Sequence, residues 1–187
     1  MRFLDHRYYV GYLSAAEVHD AAHQRPQVFQ VVTAAHLRDR EFGRVRMTFI
    51  RATGVADRPT NIVNTPTGTM VVSTPEVTVL DLASAPQHGG GLSNIATIVA
   101  DLLEDSKLDM VELARVASTY PTSVARRTGW LVEHAAQATG TEVELEALAT
   151  IAAHPSKPTL LASAGDLPGA YDQRWNIIVN TDVEPDR

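Results

Sequence analysis

Two histidines separated by three residues, His19-Asp20-Ala21-Ala22-His23, make the most chemically suggestive spacing in the chain. On a helix, positions i and i+4 share a face, so two imidazoles there match the metal-binding arrangement of zinc hydrolases. Such an enzyme also needs a third protein ligand and a glutamate as general base. Asp20 stands in the base position, and nothing downstream singles out a third ligand. The alternative reading is two ordinary helix histidines, so a metal-dependent hydrolase is kept only as a second alternative, and no metal, cofactor or catalytic residue is assigned.

A second constellation is basic. Arg38, Arg40, Arg44, Arg46, Arg51 and Arg58 fall in one short stretch whose acids are Asp39, Glu41 and Asp57, a local excess of three positive charges. In a strand, alternate residues point to the same side, so Arg44 and Arg46 would share one face. Guanidinium groups arrayed that way suit carboxylates or phosphates, which they grip bidentately. A plainly solvated sheet face is the competing reading. Arg126 and Arg127 form a second basic pair inside a helical pattern. The exposed partner-binding contacts expected from sequence are therefore Arg44, Arg46, Arg51, Arg126 and Arg127.

Other chemistry finds less support. Gly89-Gly90-Gly91 precedes a helix start, where free N–H groups favour anions. It lacks the lysine and hydroxyl residue of a phosphate-binding loop and the spacing of a dinucleotide fingerprint, and reads as a hinge. No Gly-x-Ser-x-Gly elbow marks a nucleophilic serine. The carboxylates at 101, 104, 105, 109 and 112 read as a solvent-facing helix surface. Trp130 and Trp175 are large aromatics, which are core residues more often than interface anchors.

The elements that must position these groups follow from periodicity and capping. Ser14-Ala15-Ala16-Glu17 has the spacing of a capping box and starts a helix expected over about 15–23. Val28 to Thr33 is β-branched and aromatic, as in a buried strand, and Arg44 to Arg51 forms another, entered through a turn at Gly43. Ile62 to Ser73 reads as strand, turn, strand around Pro66 and Gly68. Ser73-Thr74-Pro75-Glu76 repeats the capping-box spacing ahead of a helix to about Ser84, with Val77, Leu80 and either Val79 or Leu82 buried. Beyond the glycines the pattern turns helical over roughly 93–105, 109–119, 121–138 and 142–153, with starts at Ser93 or Asn94, Asp109 and Thr141. Thr159 to Ala162 suggests a short strand and Arg174 to Asn180 a stronger one, expected to return to the sheet.

This predicts an α+β fold: a mixed β-sheet built mainly from the N-terminal half and the last strand, covered by a bundle of four to five helices. With 187 residues, 44% of them hydrophobic and 20% charged, the chain suits a single domain over 1–187, sheet-rich over 1–88, helical over 92–153 and closing with a strand over 173–180. The net charge of −6 argues against a general polyanion binder, because such affinity comes from neutralising phosphates. The absence of cysteine excludes disulfide frameworks, thiolate nucleophiles and cysteine-ligated zinc. Two lysines against fourteen arginines is a bias common in GC-rich bacterial genomes. The first residues lack the apolar core of a signal peptide, and no segment is apolar for long enough to span a membrane. A cytoplasmic protein with no membrane partner is expected.

Several segments together resemble the C-terminal domain of the AbiEi antitoxin and transcriptional-regulator family. They are Tyr8-Tyr9-Val10-Gly11-Tyr12-Leu13-Ser14-Ala15-Ala16-Glu17, His23-Gln24-Arg25-Pro26-Gln27-Val28-Phe29-Gln30-Val31-Val32, Ser73-Thr74-Pro75-Glu76-Val77-Thr78-Val79-Leu80-Asp81-Leu82, Arg126-Arg127-Thr128-Gly129-Trp130-Leu131 and Arg174-Trp175-Asn176-Ile177-Ile178-Val179-Asn180. The resemblance covers nearly the whole chain through the order and spacing of these pieces. It implies a cytoplasmic antitoxin of a toxin–antitoxin or phage-defence locus, of type IV, whose partner is a nucleotidyltransferase toxin. Family members join an N-terminal winged helix-turn-helix to this domain; Met1 lies where the linker would be, so operator binding through a winged helix is not expected of this stretch. DNA binding through the arginine strand, as an autoregulator of the operon, stands as the alternative to toxin neutralisation.

Overall fold

The computed structural model describes residues 7–22, 26–66, 68–165 and 168–185. The chain gathers into two compact units, Met1–Thr78 and Val79–Arg187. The described residues form six α-helices and nine strands, an α+β fold with a mixed sheet in the N-terminal half.

In the first unit, β1 (Tyr8–Val10) leads into α1 (Tyr12–Val18), followed by β2 (Val28–Thr33), β3 (Arg40–Phe42), β4 (Val45–Arg51), β5 (Thr60–Thr65) and β6 (Gly68–Ser73). The strands lie in the order β3-β4-β2-β1-β6-β5. β1 runs antiparallel to β2 and parallel to β6, and β2 runs parallel to β4. The β5–β6 hairpin forms where expected, with Thr65 opposite Gly68. Val10, Ala15 and Val72 are buried together, and Val18, Phe29, Val63 and Met70 pack around them. One face of α1 therefore closes over this side of the sheet.

The start of α1 differs from the capping-box expectation. The helix begins at Tyr12 and ends at Val18. Ser14 lies inside it, and its hydroxyl accepts the backbone N–H of Gln30 at 2.9 Å. In return the Gln30 carboxamide accepts the N–H of Leu13 at 2.8 Å. The serine thus satisfies a strand donor instead of a helix donor, a long-range partner that local spacing cannot reveal.

α2 (Pro75–Ser84) has the expected bounds. Its cap is Thr74, whose hydroxyl accepts the Val77 N–H at 3.4 Å. Ser73 instead belongs to β6 and shares a hydrogen bond with the Thr78 hydroxyl at 2.7 Å. Burial reaches every side of the helix, from Glu76 through Ala83, where a single stripe was expected.

The second unit holds a 3-10 turn (Pro86–Gly89), α3 (Leu92–Glu104), α4 (Met110–Ala117), α5 (Thr122–Thr139) and α6 (Glu146–Ala152). Asp109 caps α4 as expected, accepting from Val111 and Glu112. α6 starts later than Thr141 predicts, with Leu145 at its cap. β7 (Thr159–Leu160), β8 (Ala170–Asp172) and β9 (Ile177–Val179) follow. The expectation that the last strand returns to the large sheet is overturned: β9 pairs with β7 and β8 in a separate three-stranded sheet. Strand propensity identified the segment, but its pairing partners depend on long-range packing; Trp175, just ahead of β9, is fully buried against Gly129 of α5.

Candidate functional site

Most of the basic stretch forms a hairpin at one edge of the large sheet. Gly43 takes φ 60° in the turn, a left-handed backbone that glycine adopts without strain. β3 and β4 then pair antiparallel, with Phe42 opposite Val45, Glu41 opposite Arg46 and Arg40 opposite Met47. Asp39 fastens the entering chain: its carboxylate accepts the Thr48 hydroxyl at 2.8 Å and the Phe49 N–H at 3.3 Å. Arg44 sits in the turn and, like Arg46 and Arg51, is exposed.

These arginines do not line one surface. Arg46 and Arg51 are five residues apart on β4, an odd spacing that puts them on opposite faces. Arg46 stands beside Glu41 and Val28, whereas Arg51 stands beside Thr33. Arg44 and Arg46 remain close at the hairpin tip. Sequence reasoning placed Val45 in the strand Arg44 to Arg51 but missed β3, and with it the exposed pair Phe42 and Val45, which are 57% and 51% exposed. The signal was available: Arg40-Glu41-Phe42 and Val45-Arg46-Met47 flank a glycine turn with apolar residues at matching positions.

Arg126 and Arg127 are elsewhere and serve differently. Arg126 is 1% exposed, which corrects the expectation of a surface contact. Its guanidinium donates to the carbonyls of Ala152, Lys157 and His154 at 2.9, 2.9 and 2.6 Å. Carbonyls just past a helix end lack intrahelical donors, and the fork of Arg126 supplies them for α6. Arg127 donates to Leu161, Ala83 and Leu160 carbonyls at 2.9, 2.7 and 3.1 Å. Burial pulls its pKa below the ordinary arginine value. It lines a cavity of about 560 Å³ with Ser93, Ser163 and Asp182. Consecutive arginines thus knit the segment after α6 to α5, and Arg127 also ties in the end of α2.

The histidine pair loses its geometric basis. α1 stops at Val18, His19 is its C-cap, and Asp20 turns the chain away with φ 58°. The His19 ring bonds to the Ser73 carbonyl at 2.8 Å. His23 lies outside the described residues. Among the described residues, no group of three His, Asp or Glu side chains is placed to hold a metal ion, and none of the described helices is long and apolar enough to cross a membrane.

Trp175 is fully buried, and its indole N–H donates to Glu133 at 2.6 Å. Arg174 pairs with that same carboxylate and also with Glu146. Trp130 stacks on His134 at 4.8 Å between ring centroids, nearly parallel. His134 in turn bonds to the Val183 carbonyl at 2.8 Å, tying the C-terminal segment to α5. Both motif tryptophans are thus occupied within the second unit.

Among solved structures, the RV2827C protein from Mycobacterium tuberculosis is similar, with a TM-score of 0.65 and 16% identity over 95% of this chain, which spans 64% of the length of that chain. At that identity the likeness concerns the fold. A search of curated proteins gave no match. The family model described as the AbiEi antitoxin C-terminal domain matches residues 9–134, a span from the buried Tyr9 of β1 to His134 of α5. This chain belongs to the AbiEi antitoxin C-terminal domain family.

Proposed function

We propose that this chain is the toxin-binding part of a bacterial antitoxin, a binding protein and not an enzyme. It acts in the cytoplasm on a nucleotidyltransferase toxin, in a type IV toxin–antitoxin or phage-defence setting, and restrains it by contact or by promoting its inactivation. The observation that carries this reading is the antitoxin family match over residues 9–134. That match draws on both compact units, so we treat 1–187 as one functional domain. The exposed arginines of the β3–β4 hairpin are its proposed contacts.

Co-expression with the toxin encoded beside it tests the reading. Growth rescue, together with a stable complex or a changed modification state of the toxin, is the expected result. No rescue, no complex and no change in the toxin would defeat it.

A second reading, a DNA-binding autoregulator, is favoured by one observation: Arg38, Arg40, Arg44 and Arg46 are all exposed within a short segment. Gel shifts on the chain's own promoter decide it. Sequence-specific retardation lost on replacing Arg44 and Arg46, with a salt dependence set by the phosphates neutralised, would support this reading.

A further inference from the structure

We propose that the tip of the β3–β4 hairpin is the anchor of the toxin interface, with Phe42 and Val45 entering an apolar recess rimmed by carboxylates on the toxin. This rests on the antitoxin reading above and adds a location and a chemistry to it.

The strand register puts the apolar pair on one side of the hairpin. Phe42 and Val45 face each other across the ladder, so their side chains share one side of the sheet. Val45, Met47 and Phe49 alternate along β4 on that side, and Met47 lies opposite Phe29. Phe29 packs against the cluster under α1, and Met47 is 8% exposed. The apolar row therefore runs out of the core from Phe29 through Met47. It ends in a pair more than half exposed. A solvated sheet edge is better served by polar side chains there, which blunt unwanted pairing.

Charge at the tip points to the same kind of partner. Arg40, opposite Met47, shares the side of the apolar pair, Arg44 stands in the turn beside it, and Arg46 lies on the other side with Glu41; the side chains of these three arginines make no hydrogen bond or ion pair with any described residue. Asp39 is held by Thr48 and Phe49, and Glu41 is the remaining acid. The tip thus presents the uncommitted guanidinium groups of Arg40 and Arg44 beside an aromatic anchor. Interface centres favour this composition: aromatic and arginine side chains dominate the binding energy there. The excess of positive charge selects a partner bearing carboxylates.

The same residues fit nucleic acid less well. A phosphate backbone would leave Phe42 and Val45 without apolar contact, and Glu41, directly across from Arg46, would repel it. The turn is also free to project, because a Cβ placed at Gly43 would meet nothing within 4 Å.

Calorimetric titration of the 187-residue chain against the cognate toxin, at low and moderate salt, tests the proposal with two double variants. Phe42→Ser with Val45→Ser should weaken binding by roughly 30-fold or more and leave the salt dependence unchanged. Arg40→Glu with Arg44→Glu should weaken it by about tenfold or more at low salt and flatten the salt dependence. All four positions are exposed, so unchanged melting curves are expected and establish that the variants fold. If wild-type protein binds and rescues while both variants do so equally well, the hairpin proposal is wrong and the antitoxin reading stands. If wild-type protein neither binds nor rescues, both fall. Loss of self-association in place of toxin binding would reassign the tip to a contact between copies. DNA retardation that depends on the arginines but not on Phe42 would reassign it to nucleic acid. Either of the last two results overturns the proposal.

Discussion

Gly129 lies directly beneath Trp175: a Cβ built at position 129 would fall 2.0 Å from Cζ3 of the indole. α5 can pass under the fully buried ring because this helical position carries no side chain. The motif Arg126-Arg127-Thr128-Gly129 is thereby a packing device. On an exposed helix, replacing glycine by alanine stabilises by about 0.5–1 kcal/mol. Here the three nearest atoms to the added methyl group all belong to the buried ring, and overpacking of this kind costs about 1–3 kcal/mol or more.

Gly129→Ala is therefore expected to be destabilising, against helix propensity, by about 2 kcal/mol net. Chemical denaturation of the purified variant checks it. Unchanged or raised stability would show that the indole shifts freely and that the close approach is not required.

Arg126→Met keeps most of the apolar stem and removes the donors to Ala152, Lys157 and His154. Leaving such carbonyls unsatisfied costs about 1–3 kcal/mol each where water cannot reach them, so a loss of about 3 kcal/mol is expected. Arg126→Lys should rescue only part of it, since an ammonium cannot span the three acceptors as a planar fork does. Equal stability of the lysine variant and wild type would show that charge alone suffices.

Thr128 carries a buried hydroxyl with no hydrogen-bond partner among the described residues. Thr128→Val replaces it by a methyl group of similar shape in the same branched side chain. Stabilisation by about 1 kcal/mol is expected. A thermal melt lower than that of wild type would mean the hydroxyl is satisfied after all.

Glu112 accepts two hydrogen bonds from Arg115 at 2.7 and 2.6 Å, and these hold its carboxyl below the usual glutamate range. A depressed carboxylate contributes stability above its unfolded pKa and loses it as pH falls through the folded one. Because the pair is exposed, the stability change should be slight and salt-sensitive. The clearer readout is carboxyl chemical shift against pH. Arg115→Ala should move the Glu112 titration up toward the ordinary value, and an unmoved titration would remove the pairing as its cause.

Features set by short-range chemistry were legible in the residues. Proline at the first turn of α2, Asp109 ahead of α4 and the Pro66 to Gly68 turn each act through neighbours a few positions away, so spacing alone locates them. The α+β class follows from where hydrophobic period changes from two to 3.6. The candidate site was half legible: the arginine stretch was visible by itself, whereas β3 and Phe42 show only as a short apolar match to Val45 across the Gly43 turn, a pattern that needs the pairing to be considered before the strand.

Pairing and burial were decided only in three dimensions. Ser14 has the spacing of a cap and yet serves Gln30. β9 has the composition of a sheet strand and yet belongs to a different sheet. Arg44 and Arg126 are the same residue type in basic clusters of similar appearance. One is exposed beside a glycine turn, and the other is enclosed because the carbonyls following α6 converge on it. Local propensity is a property of neighbours along the chain, whereas the partner of a donor and the solvent around a charge depend on segments many residues away.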